Sequence, residues 1–161
     1  MVMIETSQAI TEQQVRQWLE AVRDPEIPVI SIADLGVLYD VKVTEELVVV
    51  SILPTYSGCP AMDTMQEDIV RELNKQGLDQ VRVEVINTPA WTTDRISEHG
   101  RQQLQAYGIA PPQEKSGQPI ACPQCKSTNT TCISQFGSTA CKALYRCEDC
   151  LEPFDYFKCH V

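Results

Sequence analysis

Apolar residues along the first half of the chain change their spacing several times, and each change marks an element. Val15, Trp18, Leu19 and Val22 recur at i, i+3, i+4 and i+7, which places them on one face of a helix. Thr11-Glu-Gln-Gln14 has the form of a capping box at its start, with Thr11 as the cap and Gln14 reaching back. Asp24-Pro25 ends the helix, because proline pushes the residue before it out of the helical region. The loop DPEIPVISIADLG follows. Its two prolines and glycine keep it irregular, while Ile27, Val29, Ile30, Ile32 and Leu35 require that it pack onto something. The period then drops to two: residues 37–43 alternate, residues 47–53 are almost continuously apolar, and Thr44-Glu45-Glu46 joins them as a hairpin.

After PTYSGCP the helical period returns. Pro60 suits a first helical position, Met62, Met65, Ile69 and Leu73 form a stripe, and Gly77 caps the end. Val81, Val83 and Val85 alternate with Arg82 and Glu84 in a third strand. Residues 93–107 read as a less regular helix, with Ile96, Leu104 and Tyr107 on one face and Gly100 weakening it. The order helix, hairpin, helix, strand, helix predicts a small α+β domain with a helix-covered sheet over residues 1–109. Residues 110–119 hold three prolines and a glycine and read as a linker, leaving 120–161 as a separate tail module.

The tail carries two CxxC pairs, Cys122-Pro-Gln-Cys125 and Cys147-Glu-Asp-Cys150, with 21 residues between them. Each pair puts two sulfurs on one turn, and two such turns facing each other make a tetrahedral thiolate cage of the kind that holds structural zinc. A rubredoxin-like iron site uses the same two pairs, so spacing alone leaves iron and electron transfer open. The turn after Cys150 lacks the glycine that often follows such knuckles. Cys132, Cys141 and Cys159 exceed what one zinc needs; they pack as small hydrophobes, the favoured reading, or join Cys59 in a second centre. The aromatic segment FDYFKC is expected to pack the ribbon rather than face a partner.

Charge and context narrow the classes. The 161-residue chain has a net charge of −9, yet in the tail Lys126, Lys142, Arg146 and Lys158 are matched by Glu148, Asp149, Glu152 and Asp155. Without a basic face the ribbon has no means of neutralising phosphates, which argues against a nucleic-acid partner. MVMIETSQAI lacks the basic start and apolar run of a secretion signal, and no apolar stretch reaches membrane-spanning length. The expectation is a cytoplasmic protein without a membrane partner, whose reduced cysteines serve metal rather than disulfides.

Cys59 stands between Gly58 and Pro60 at the mouth of the second helix. Unpartnered N–H groups and the helix dipole favour a thiolate there, making it a reactive thiol or a metal ligand; a small buried cysteine is the equal alternative. Gly58 is expected to allow close approach to the backbone. Asp24, Glu26 and Asp34 place three carboxylates on the preceding loop, where solvated charges and a helix stop are the ordinary reading. His99 and His160 suggest no catalytic triad, and there is no glycine-rich phosphate loop.

DPEIPV, then ADLG, then TYSGCP resembles the iron–sulfur assembly family that includes SufT, with Thr55, Cys59 and Pro60 matching its Thr-x-x-x-Cys-Pro segment. PAWTTD, YGIAPP, ISQFGSTACKALYRC and EPFDYFKC resemble a narrower branch of that family, which carries a C-terminal zinc ribbon and serves the bacterial phenylacetyl-CoA ring-1,2-epoxidase. The resemblance implies an accessory or maturation factor rather than an enzyme. Its partners would be the oxygenase and reductase subunits, and its cargo an iron–sulfur cluster or iron. In that reading Cys59 is the functional cysteine, Asp24 and Glu26 are its loop acids, and Cys122, Cys125, Cys147 and Cys150 hold structural zinc. A second ligand beside Cys59 would come from the mate in a homodimer, from the ribbon or from the client. A stable non-catalytic subunit and a rubredoxin-like electron carrier are the alternatives. The chain has no Glu-x-x-His pairs of the kind that build di-iron sites on helices.

Overall fold

The computed structural model describes residues 9–113 and 117–158. The first helix, α1 (Glu12–Leu19), opens with the expected box: Thr11 Oγ1 accepts from the Gln14 N–H and the Gln14 side chain accepts from the Thr11 N–H. It stops about a turn before Asp24-Pro25, and Val22 continues its buried face from a tight turn. The DPEIPVISIADLG loop is packed as its apolar content requires, with Ile27, Ile30, Ile32 and Leu35 all fully buried.

Strands β1 (Leu38–Val43) and β2 (Val48–Ile52) form the antiparallel hairpin. The chain crosses through α2 (Ala61–Lys75) to β3 (Val81–Val85), which pairs parallel to β2 and completes a three-stranded sheet in the order β1-β2-β3. Met62, Met65, Ile69 and Leu73 are the buried stripe of α2. Pro60 sits one position earlier than expected, as the residue that caps the helix. At the other end Gly77 takes φ +88°, and the N–H groups of Gly77 and Leu78 bond back to Asn74 and Leu73, the paired bonds of a Schellman ending.

Helix α3 (Glu98–Ala106) is shorter than residues 93–107, because Ser97 caps it and residues 93–95 form a separate 3-10 turn. Two expectations there are corrected. Tyr107 lies at the end of α3 and is exposed rather than sharing the Leu104 face. Gly100 is a packing contact, not a weak point: a Cβ there would meet the Asp34 carbonyl oxygen and Ile30 Cδ1 at 3.0 Å.

The tail is a four-stranded sheet of β4 (Ile109–Ala110), β5 (Thr130–Ser134), β6 (Lys142–Cys147) and β7 (Pro153–Phe157), in the order β4-β7-β6-β5. The start of the expected linker is thus not loose chain. Ala110 is buried in β4, which runs parallel to β7. Nor is the ribbon a free appendage. Phe157 and Cys141 belong to the main core, and the Phe157 ring meets Trp91 edge-on at 5.9 Å, at an interplanar angle of 71°. A second, smaller core of Ala110, Cys122, Cys147 and Phe154 lies inside the ribbon. Among the described residues no helix is long and apolar enough to cross a membrane.

Candidate functional site

The four ribbon cysteines converge. Their sulfurs all lie within 4.8 Å of one another, the only such group of metal-ligating side chains among the described residues. Cys122 Sγ is 3.7 Å from Cys150 Sγ, and Cys125 Sγ is 3.5 Å from Cys147 Sγ. A tetrahedron with zinc–sulfur bonds of about 2.3 Å has edges of about 3.8 Å, so the donor set fits a tetrathiolate metal. Backbone N–H groups from Cys150 and Asp149 point at Cys147 and pull its thiol down to about 7. At Cys150 an N–H from Glu152 pulls the same way, but desolvation and the neighbouring sulfurs outweigh it and push that thiol up to about 12. Four such thiols ionise together only around a cation. The glycine missing after Cys150 is replaced by strain: Leu151 takes φ +63°, and Lys126, which likewise follows the second cysteine of its pair, takes φ +66°. Asp149 ties the knuckles together by accepting from Ser127 and Asn129.

The second constellation surrounds Cys59. The turn Tyr56–Cys59 and the first residues of α2 carry it, and Gly58 enables the turn through φ +75°. A Cβ on Gly58 would meet nothing within 4 Å, so the glycine serves backbone conformation rather than the close approach expected of it. Cys59 is buried, 8% exposed. Burial pushes its thiol up, and the helix-start N–H of Ala61 and the Tyr56 hydroxyl draw it back without overcoming that rise. Cys59 is thus a small buried residue that lies at a helix mouth with donors aimed at its sulfur.

The loop acids divide the work. Asp24 is not the solvated charge that a loop suggests. It is 6% exposed, and its Oδ1 accepts from the N–H groups of Glu26 and Ile27 at 2.7 and 2.9 Å, closing the turn that aims Glu26. Burial still raises its carboxyl above the ordinary value. Glu26 is half-buried and reaches the ribbon, its Oε2 lying 3.7 Å from Cys141 Sγ. Asp34 belongs elsewhere, accepting from Ser31, Ser97 and His99 and so latching α3 to the loop. His99 thus does have an aspartate beside it, at 2.9 Å, which the sequence did not suggest. Ser97 donates to that same carboxylate and not to the imidazole, so no nucleophile is activated.

Of the three surplus cysteines, Cys141 comes to Glu26, and Cys132 lies on β5 opposite Tyr145. Cys159, like His160, is outside the described residues. Tyr56, Thr139 and Lys142 were not singled out from sequence. Tyr56 could have been, because it stands three residues before Cys59 in the same turn. Lys142 gave no signal: it reads as one more tail lysine, yet it is buried and its charge acts on both Asp24 and Cys141.

Comparison with known proteins fits this division. A family model described as iron-sulfur cluster assembly protein matches residues 12–85, and one described as PaaD zinc beta ribbon domain matches residues 110–158. An Escherichia coli K12 protein, described as a subunit of a "Putative 1,2-phenylacetyl-CoA epoxidase", is 47% identical over 146 residues, 88% of either chain. A Porphyromonas gingivalis Fe-S protein maturation auxiliary factor is 34% identical over 96 residues, 58% of this chain and 90% of its own. Among solved structures, a DUF59 domain of Bacillus anthracis shares 31% identity at a TM-score of 0.54, covering 58% of this chain and 90% of that one. A conserved hypothetical protein of Thermotoga maritima shares 28% at 0.52, covering 61% and 97%. The assembly-type model covers the domain that carries Cys59, the ribbon model covers the module that carries the four-cysteine cluster, and the Escherichia coli relative matches across both, so the chain belongs to the PaaD family of phenylacetyl-CoA epoxidase subunits.

Proposed function

We propose that this protein is a non-catalytic maturation factor for the phenylacetyl-CoA ring-1,2-epoxidase, handing iron or an iron–sulfur cluster to its oxygenase or reductase component. The observation that carries the reading is the Cys59 sulfur at the start of α2, with the Ala61 N–H and the Tyr56 hydroxyl directed at it and Glu26 within electrostatic range. A thiol that burial pushes up, with donors directed at it, suits cargo taken up and released, since ligation costs a proton and release regains it. The ribbon cysteines hold structural zinc and carry no transfer step. Support comes from the assembly-type family model and from a relative named as a maturation auxiliary factor.

The test is replacement of Cys59→Ala in cells that depend on the epoxidase. The expected result is loss of epoxidation together with iron–sulfur content of the reductase or iron content of the oxygenase, while the zinc content of the variant itself stays at one per chain. Full epoxidation and full cofactor content with Cys59→Ala would sink the proposal. A second reading, a stable non-catalytic component of the epoxidase complex, is favoured by the word subunit in the name of the Escherichia coli relative. Co-purification in fixed stoichiometry with the oxygenase, insensitive to Cys59→Ala, supports it over transient delivery.

A further inference from the structure

The three-stranded sheet ends on β3 without a partner. Among the described residues β3 pairs with β2 alone, and α2 is the only other element it touches. Its register with β2 is unbroken from Val81 to Val85. The opposite edge differs: β1 carries an irregularity between Leu38 and Asp40, a device that discourages pairing at an edge. β3 has no such break, no proline and no lysine.

The direction of the backbone groups follows from the bonds to β2. The Gln80 carbonyl accepts from the Val48 N–H, and the Ile86 N–H donates to the Ile52 carbonyl. Direction alternates along a strand, so Gln80, Arg82, Glu84 and Ile86 face β2, while Val81, Val83 and Val85 turn their N–H and C=O groups outward. The side chains of these valines share a sheet face with Val48, Val50 and Ile52, where Val81 and Val83 pack against the core. Arg82 and Glu84 are exposed on the other face.

We propose that this edge is where a second copy of the chain docks, β3 against β3 in antiparallel orientation about a two-fold axis through Val83, so that the two sheets join into one. The segment VRVEV is complementary to itself in this register. Val83 meets Val83 of the second copy, and Val81 meets Val85 of the second copy, each with outward N–H and C=O groups to exchange. Arg82 meets Glu84 of the second copy, and Glu84 its Arg82, at the non-hydrogen-bonded positions where side chains come closest. Within one chain Arg82 Nη1 stands 3.9 Å from Glu84 Oε1, so the pair is loose and both groups stay open to a partner. Other registers fail. A slip of one residue sets outward groups against inward ones, and a slip of two stacks Arg82 on Arg82 or Glu84 on Glu84.

The axis also fixes where the Cys59 turns lie. Cys59 follows β2 and precedes α2, at the end of the sheet where the parallel strands β2 and β3 finish. Antiparallel docking sets the finish of one β3 beside the start of the other. The two Cys59 turns therefore lie at opposite ends of the joined sheet, and the dimer does not bring one to the other. The inference is independent of what Cys59 carries.

The test is sedimentation equilibrium of the full, zinc-loaded chain at rising concentration, together with its Arg82→Glu and Glu84→Arg variants. The native chain is expected to form a reversible dimer. Each variant alone turns two attractive cross-strand pairs into two repulsive ones and should weaken dimerisation about tenfold. An equimolar mixture of the two variants should dimerise again, because their charges match across the axis although they clash within either chain. Zinc content and circular dichroism confirm that both variants fold. Amide exchange followed by nuclear magnetic resonance reads the register. The N–H groups of Val81, Val83 and Val85 should exchange more slowly as concentration rises, while those of Arg82 and Glu84, bonded to β2, are protected throughout. A native chain still monomeric at about 1 mM, the weak end of specific association, overturns the inference and leaves the edge to a partner of another sequence. A dimer indifferent to both variants places the contact on another surface and overturns it too. So does a mixture that associates no better than either variant alone. Protection of the three valines that persists on dilution would mean that the chain covers its own edge, and overturns it equally.

Discussion

Phe157→Ala tests most directly whether the ribbon is built into the core. Phe157 is 1% exposed, and its ring meets Trp91 at 5.9 Å in an edge-on contact. Removing a fully buried phenylalanine ring costs about 3–5 kcal/mol, from lost transfer energy and the cavity left behind. That is a large share of a domain stability of about 5–15 kcal/mol. The measurement is urea unfolding of the zinc-loaded protein followed by tryptophan fluorescence, for which Trp91 is a local reporter. A fall of about 3–5 kcal/mol is expected if the modules unfold as one unit, or a split into two transitions if the substitution uncouples them. A double-mutant cycle with Trp91→Leu should return a coupling of about 0.5–1.5 kcal/mol for the ring pair. Tyr107→Ala, at an exposed ring, should stay within about 0.5 kcal/mol. A loss under about 1 kcal/mol for Phe157→Ala, in a single transition with unchanged denaturant slope, would refute the docking argument, because a ring in that core position is not removed so cheaply.

Leu151→Gly should raise the unfolding midpoint of the zinc-loaded protein, since a left-handed leucine costs about 1–2 kcal/mol of which glycine entropy returns only part; a clear loss would mean that this φ is not what closes the knuckle. Partial desolvation alone would raise the Asp34 carboxyl, but hydrogen bonds from Ser97, His99 and Ser31 hold it below the usual carboxylate value. Its folded pKa being the lower one, it stabilises the protein above the unfolded value of about 4 and ceases to do so as pH falls through the folded value. Asp34→Asn should therefore flatten the acid limb of the stability curve, and superimposable curves would contradict the latch. Stripping the ribbon metal with a chelator should abolish the near-ultraviolet circular dichroism of Trp91 along with ribbon structure, because Phe157 leaves with the sheet that carries it; an unchanged spectrum would show that the ribbon stands without its metal.

What could be read from the sequence was what is written locally. The box at Thr11 and Gln14, the α2 stripe ending at Gly77 and the two CxxC knuckles each depend on residues within a few positions of one another, and each is found as expected. Asp24 departs from its sequence reading because loop carboxylates are ordinarily solvated, whereas the N–H groups of Glu26 and Ile27 compensate this one for its burial. Periodicity places Tyr107 on the Leu104 face and does not reveal that α3 has ended before it. The arrival of Cys141 at Glu26 joins positions 115 residues apart, and no periodicity records such a contact. It follows from the docking of β4 and β7, where the sequence indicated a linker and an independent module.

The parallel pairing of β4 with β7 also sets an order of events during synthesis. The assembly domain and its Cys59 turn leave the ribosome well before β7 does, and domains generally fold as they emerge. Until β7 is available Phe157 cannot reach Trp91 and the ribbon cannot bring Cys141 to Glu26, so the nascent protein passes through an interval in which the assembly domain lacks both contacts. The translating polypeptide therefore presents Glu26 and Trp91 free of the ribbon residues that the finished protein brings to them.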